Sequence, residues 1–451
     1  MIFDIPKSTK YWFVIQCVFI ITLMKLMNKY KHIKNRILGY NIPVPLIAQY
    51  ALGFAHVCGD LSFCIAYVYR DWLGIKPSSQ DYMVDWGIGL STTYFMVDSI
   101  LIVLIDFKVQ YLYLIHHALA IFMGIVMYNK IIPLDITVAY MFIIEFSNMA
   151  ISAWDIVKRA RKAQILQLEE PSILNSLQNV LTPIFMFTYV PARTVLLTCA
   201  SIVLLYNINT SNHYLKASIW LCTGLILYMS YKFAIKVYGI GYKSISQNFP
   251  GLLTFTSLMY VFKAYVSLVW FMLVLPESFR PKSITLGLML LFVDLVHILI
   301  SLGYSSTHEP SIFISALDYA SVCIKIVMNG EYIFVRASLD NNIINYNLWK
   351  FMVYLNMVIC VFNIIVTSRK AYVAFEKRSV LPYLLHYLLH YFISAIVPVF
   401  LMPFGTAPYT AIISYFIGGL VWTLYPKSKY SVGWMHIFMM VADIALLGWG
   451  S

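Results

Sequence analysis

A hydrocarbon layer about 30 Å thick needs about 20 consecutive apolar residues to be crossed as a helix. This chain carries fourteen runs of that kind. They fall at roughly 11–27, 44–69, 83–105, 111–128, 133–157, 179–206, 216–238, 252–275, 284–303, 313–334, 347–367, 381–402, 407–425 and 432–449. Inside lipid every backbone N–H and C=O must be satisfied within the protein, and a run of this length does so as an α-helix. The expectation is an all-α, polytopic integral membrane protein with about 14 transmembrane helices in two seven-span bundles. Composition agrees, with 61% hydrophobic and 12% charged residues, against about a quarter charged in soluble domains. The formal charge of +12 would otherwise suggest a nucleic-acid partner. The basic residues sit in short loops between apolar runs, so nucleic acid is excluded and membrane lipids are the expected partners. All seven cysteines lie in apolar runs and none forms a C-x-x-C pair, which speaks against a disulfide framework or a zinc ribbon.

Lys/Arg bias in short loops sets orientation. The segments 28–43, 106–110, 158–178, 239–251, 304–312, 368–380 and 426–431 include KYKHIKNR, VKRARK, TSRKAYVAFEKR and YPKSK, and are expected on the cytosolic side. The sequon Asn209-Thr210-Ser211 then falls on the lumenal side, as do both termini. The first run follows Lys7 and Lys10 with no small-residue cleavage site after it, so it is expected to be an uncleaved anchor. The stretch GIGYKSISQNFPG at 239–251 divides the chain. The expected organisation is an N-terminal anchor helix and basic loop at 1–41, a membrane domain at 42–240 and a second seven-span domain at 241–451. The halves show no internal repeat, which disfavours a transporter built from inverted repeats.

Ionisable residues inside a span are costly and by default mark function. The first half places His56 and Asp60 in its second run, Tyr94-Phe95-x-x-Asp98 in its third and His116-His117 at the start of its fourth. Glu145-Phe-Ser147-Asn148 follows in the fifth, and Phe187 and Arg193 in the sixth. His116 lies roughly 8 Å inside the cytosolic face, and Asp98 sits at similar depth on the neighbouring antiparallel span. A neutral imidazole beside a carboxylate can take a proton from an amine or hydroxyl. The alternative is a buried polar network of Asp98, His116, Glu145 and Arg193 that locks the bundle. His56 by itself reads as structural.

This order of elements resembles the TLC family, the membrane domain shared by TRAM, the ceramide synthases and CLN8. The resemblance covers about residues 42–240. The His-Asp-x-Ser-Asp element of ceramide synthases is missing after His117, where ALAIFMGIVMYNK follows, so the chain resembles the CLN8-like branches more closely. The resemblance implies membrane-lipid metabolism or sensing, with sphingolipids as the likeliest class, in the endoplasmic reticulum or a related endomembrane. It implies acyl-CoA as substrate, His116, His117, Asp98 and Glu145 as catalytic residues, and Tyr94 and Arg193 as lipid-binding residues. A non-enzymatic trafficking or scaffold protein is the alternative.

In the second half His297, Asp318, His386 and His436 share a depth of roughly 8–12 Å from the cytosolic face. Three neutral imidazoles and a carboxylate-held water suit catalytic zinc. His386 and His390 also have the i, i+4 spacing of one helix face. The layout weakly resembles the seven-span CREST group of progestin/adiponectin receptors and alkaline ceramidases, through SALDYASVCIKI (315–326) and GWMHIFMM (433–440). In that group a Ser-x-x-x-His precedes the Asp span. Here His297-x-x-x-Ser301 runs in reverse, and Val432 stands where a further histidine is expected.

Overall fold

The structure is a computed structural model. It describes residues 4–38, 42–70, 73, 77–165, 172–269, 281–306, scattered positions from 314 to 333, 406–425 and 430–447. Every element of regular structure among them is helical. The chain forms two compact units, Met1–Asn248 and Phe249–Ser451.

The first unit contains α1 (Thr9–Lys29), α2 (Lys31–Leu38), α3 (Val44–Val68), α4 (Pro77–Tyr128), α5 (Leu134–Ile165), α6 (Ser172–Pro191), α7 (Leu197–Tyr206) and α8 (His213–Asn248). Among the described residues seven helical segments are long and apolar enough to cross a membrane. They are Thr9–Lys29, Val44–Val68, Tyr82–Ile105, Tyr111–Tyr128, Leu134–Lys162, Ile173–Tyr206 and His213–Asn248. These correspond to the seven runs expected in the first half. The total of fourteen is not supported. In the second unit the described residues hold the apolar helical stretches Phe255–Val269, Leu290–Ser305, Tyr409–Trp422 and Ser431–Leu446. The expected runs at 347–367 and 381–402 lie outside the described residues, and that at 313–334 largely so.

Helix α4 holds two of the seven spans, and it cannot be one straight rod. A straight helix would separate Ser99 from His117 by about 27 Å, yet Ser99 Oγ and His117 Nδ1 are 3.1 Å apart. A Cβ on Gly124 would lie 2.9 Å from Thr92 Oγ1. The arms Tyr82–Ile105 and Tyr111–Tyr128 therefore run antiparallel, with the reversal between them. The second arm ends at Lys130, whose φ of 55° is left-handed. The Ile131 N–H reaches the Val126 carbonyl (3.4 Å) and the Lys130 N–H the Met127 carbonyl (3.0 Å). This is a Schellman C-cap that takes up the last carbonyls of the helix.

Helix α1 lies against α3 and α4. Ile20 packs on Ala48, Leu52, Val97 and Leu101, while Tyr11, Val14, Ile15, Val18 and Ile21 stay exposed as a lipid-facing stripe. Asp85 on α4 caps α1 from outside. Its carboxylate accepts the Lys7 N–H (2.6 Å) and the Ser8 N–H (2.9 Å), two donors that a helix N-terminus cannot pair internally.

The two ends of the unit differ in charge. At one end the Asn209 N–H donates to the Ile131 carbonyl (2.8 Å) and Tyr67 donates to Asp135 (3.0 Å). Arg159 lies about 36 Å further along α5, with Lys158, Arg161 and Lys162 around it. Helix α5 continues to Ile165, past the end of its apolar run, because Lys, Arg, Ala and Gln favour helix outside lipid.

The second unit contains α9 (Phe255–Val269), α10 (Pro281–Ser306), α11 (Thr406–Leu424) and α12 (Ser431–Leu447), with helical positions between 314 and 333. Helices α11 and α12 pack closely, and a Cβ on Gly418 would come within 3.2 Å of the Met435 carbonyl. Helix α9 packs on α10 and α12.

Candidate functional site

In the first unit six ionisable side chains of the spans turn into the bundle. His56, Asp60, Asp98, His117, Glu145 and Arg193 are all buried. They come from α3, both arms of α4, α5 and the π-helical turn that follows α6, so five of the seven spans contribute to one polar centre.

His117 stands against Asp98 across the α4 hairpin, with Nε2 3.4 Å from Asp98 Oδ2. Its Nδ1 lies 3.1 Å from Ser99 Oγ. Ser99 donates its own proton to the Phe95 carbonyl (2.6 Å), so toward Nδ1 it acts as acceptor. With the imidazole proton on Nδ1, the Nε2 lone pair faces a carboxylate oxygen. With no further proton, two lone pairs meet. Taking up one proton turns the contact into a charge-assisted hydrogen bond. His116 is half-buried and meets Phe95 edge-on, with ring centroids 6.1 Å apart. The sequence favours His116 as the base; the side chain that meets the carboxylate is His117.

His56 lies at the middle of the centre. Its ring stacks on Tyr94, centroids 3.9 Å apart and planes 11° from parallel. Gly53 leaves room for that tyrosine, since a Cβ there would come within 3.2 Å of its hydroxyl. His56 Nε2 is 2.9 Å from Asp60 Oδ2, one helical turn on along α3, and 3.2 Å from Ser91 Oγ on α4. Nδ1 is 3.8 Å from Glu145 Oε2 on α5. Beyond the His56 contact, neither carboxylate oxygen of Asp60 accepts a hydrogen bond among the described residues. The sequence reads His56 as structural; the structure gives it more polar neighbours than any other histidine of the unit. The legible signal is the i, i+4 spacing of His56 and Asp60, which sets both on one helix face.

Arg193 belongs to a π-helical turn, Ala192–Leu196, just after Pro191. Proline has no N–H to give its helix, and single π turns often accompany functional positions. Arg193 Nε donates to Ser147 Oγ (2.7 Å), Nη1 to Ser230 Oγ (3.4 Å), and Nη2 to Asn148 Oδ1 (2.8 Å) and the Ile144 carbonyl (3.3 Å). Asn148 in turn donates to Glu145 Oε2 (3.3 Å). A chain of contacts thus runs from Arg193 through Asn148 and Glu145 to His56 and Asp60. Tyr94 and Arg193, expected to bind lipid, spend their polar groups and ring faces on protein.

The second unit has its own buried set. Lys263 of α9 reaches Asp294 of α10 (2.9 Å) and Asp443 of α12 (3.2 Å). Lys325 pairs with the same two carboxylates, at 2.6 Å to Asp443. Ser267 donates to Asp294 (2.7 Å), and Asn329 and Tyr415 each donate to Asp443 (3.1 Å). Two ammonium groups and two carboxylates alternate in a neutral tetrad. Beside it, the His297 and His436 rings stack at 5.4 Å. His297 Nδ1 contacts Ser321 Oγ (2.9 Å), and Asp318 accepts from Ser301. His386 lies outside the described residues. His297, Asp318 and His436 do not bring three donors within sharing distance of one ion; among the described residues the group that does is His56, Asp60 and Glu145.

The geometry defines a class: a multi-pass helical membrane protein with ionisable side chains gathered at the centre of its first bundle. No family model, curated protein or solved structure matches the chain.

Proposed function

We propose that the chain acts in membrane-lipid metabolism as a TLC-type protein of the endoplasmic reticulum or a related endomembrane, transferring an acyl group from acyl-CoA to a sphingolipid-class long-chain amine or hydroxyl. The observation that carries the reading is the contact of His117 with Asp98 across the α4 hairpin. Facing lone pairs gain by taking up a proton, and the acceptor's N–H or O–H supplies it as its heteroatom attacks the thioester carbonyl. Collapse of the tetrahedral adduct breaks the C–S bond. The proton passes from the His117–Asp98 pair to the departing thiolate, leaving an acylated lipid and free CoA thiol.

A non-enzymatic reading has one observation in its favour. Arg193 already satisfies four protein acceptors, as a structural lock would.

The test uses the full chain in micelles, with labelled acyl-CoA and a long-chain base. Acyl-lipid product with release of CoA thiol is the expected result. No turnover with either amine or hydroxyl acceptors sinks the acyl-transfer reading and favours the scaffold.

The proposed topology keeps the fourteen spans of the sequence reading, with Lys31, Arg159 and Lys370 cytosolic and Asn209 lumenal. The first unit supports this in one respect, since Arg159 and Asn209 lie at opposite ends of it. Glycosylation at Asn209, together with tags at 31, 159 and 370 that are cleaved in sealed microsomes, is the predicted outcome. Arg159 and Asn209 reporting the same side would refute it.

A further inference from the structure

We propose that His56, Asp60 and Glu145 form a binding site for one divalent transition-metal cation. The inference stands apart from the acyl-transfer reading, which uses His117 and Asp98.

One nitrogen of His56 and one oxygen from each carboxylate lie within 4.8 Å of one another. Donors bound to a common ion at about 2.0–2.2 Å lie roughly 3–4 Å apart. His56 Nε2 is 2.9 Å from Asp60 Oδ2, while Glu145 Oε2 lies 3.8 Å from the other ring nitrogen, Nδ1. Bringing both carboxylates onto one His56 nitrogen takes side-chain shifts of up to about 1 Å.

Asp60 supplies the second observation. Its side chain is wholly buried, Oδ2 has the His56 ring nitrogen 2.9 Å away, and beyond that contact neither oxygen accepts a hydrogen bond among the described residues. An ionised carboxylate withdrawn from water without hydrogen bonds is strongly unfavourable, and metal ligation is one of the few ways to satisfy it. The surrounding charge points the same way. Asp60, Asp98 and Glu145 are three buried carboxylates and Arg193 the one buried guanidinium beside them. Fully ionised, with neutral histidines, the group carries a formal charge of −2, which one divalent cation cancels.

The supporting contacts have the form of an outer shell. Asn148 donates to Glu145 Oε2 (3.3 Å) and is itself held by Arg193. Ser91 Oγ sits 3.2 Å from His56 Nε2, and the Tyr94 ring fixes the plane of the imidazole. Such partners orient ligands and tune affinity. One imidazole and two carboxylates suit zinc, manganese or iron(II) rather than a thiolate-seeking ion. Three protein donors leave a coordination position for water or a substrate oxygen, as in catalytic rather than structural sites.

The test is elemental analysis of the full chain, purified in micelles, incubated with Zn²⁺ or Mn²⁺ and freed of excess metal, with X-ray absorption at the bound ion. The expected result is about one equivalent per chain in an N/O shell containing one imidazole and no sulfur. His56→Ala and Asp60→Asn should each lower retention at least tenfold, while a His297→Ala/His436→Ala variant keeps it. Wild-type protein retaining less than about a tenth of an equivalent overturns the proposal, even where the first two variants fail to fold. So does a shell with sulfur or with several imidazoles, or retention that survives loss of His56 and Asp60 together.

Discussion

Lys325→Met is expected to destabilise the second unit by about 3–5 kcal/mol, the usual cost of breaking a buried ion pair from one side. Lys325 is fully buried and touches both Asp294 and Asp443. Removing its ammonium leaves one Lys263 against two carboxylates that have no access to water. Methionine nearly keeps the volume, so the loss is electrostatic rather than a cavity. A second change, Asp443→Asn, removes the surplus charge and should recover part of the loss. Thermal unfolding of the protein in micelles checks both. A single variant that melts with wild type would mean that the tetrad does not hold the unit together.

Arg193→Leu is the corresponding experiment in the first unit, and a loss of about 3–5 kcal/mol is expected there from leaving several buried acceptors without their charged donor. The guanidinium joins α5 to the π turn and α8 by four hydrogen bonds. Without it Ser147, Ser230 and Asn148 lose their donor, and Glu145 loses the cation nearest to it. Arg193→Lys should fall between, because an ammonium keeps the charge but not the planar fork that reaches several acceptors at once. Equal stability of all three proteins, measured by thermal unfolding, would contradict the network.

The helices of the first unit were legible because lipid admits so few backbone solutions. Runs of about 20 apolar residues located all seven spans, even where only the short segment Asp106–Gln110 separates the two arms of α4. The second half was less legible, because its helices carry Lys263, Asp294, Lys325 and Asp443 on faces that look merely interrupted in a one-dimensional reading. Opposite charges on different spans were the available signal, and pairing them needs knowledge of which helices touch. The same limit explains the histidines. Hydropathy cannot tell His116 from His117, since adjacent residues point about 100° apart on a helix and only the packing of the hairpin decides which meets Asp98. His56 looked isolated because Glu145 lies 89 positions away in sequence and reaches it only through the packing of α5 on α3.

In the proposed reaction Arg193 locks the first bundle, and His117 with Asp98 would move the proton. The most direct measurement is the acyl-transfer rate of His117→Ala relative to wild type, with both proteins checked for the same melting temperature. Loss of a positioned general base predicts a fall of about 10²–10⁴-fold. A folded His117→Ala protein that transfers acyl groups at the wild-type rate would contradict it.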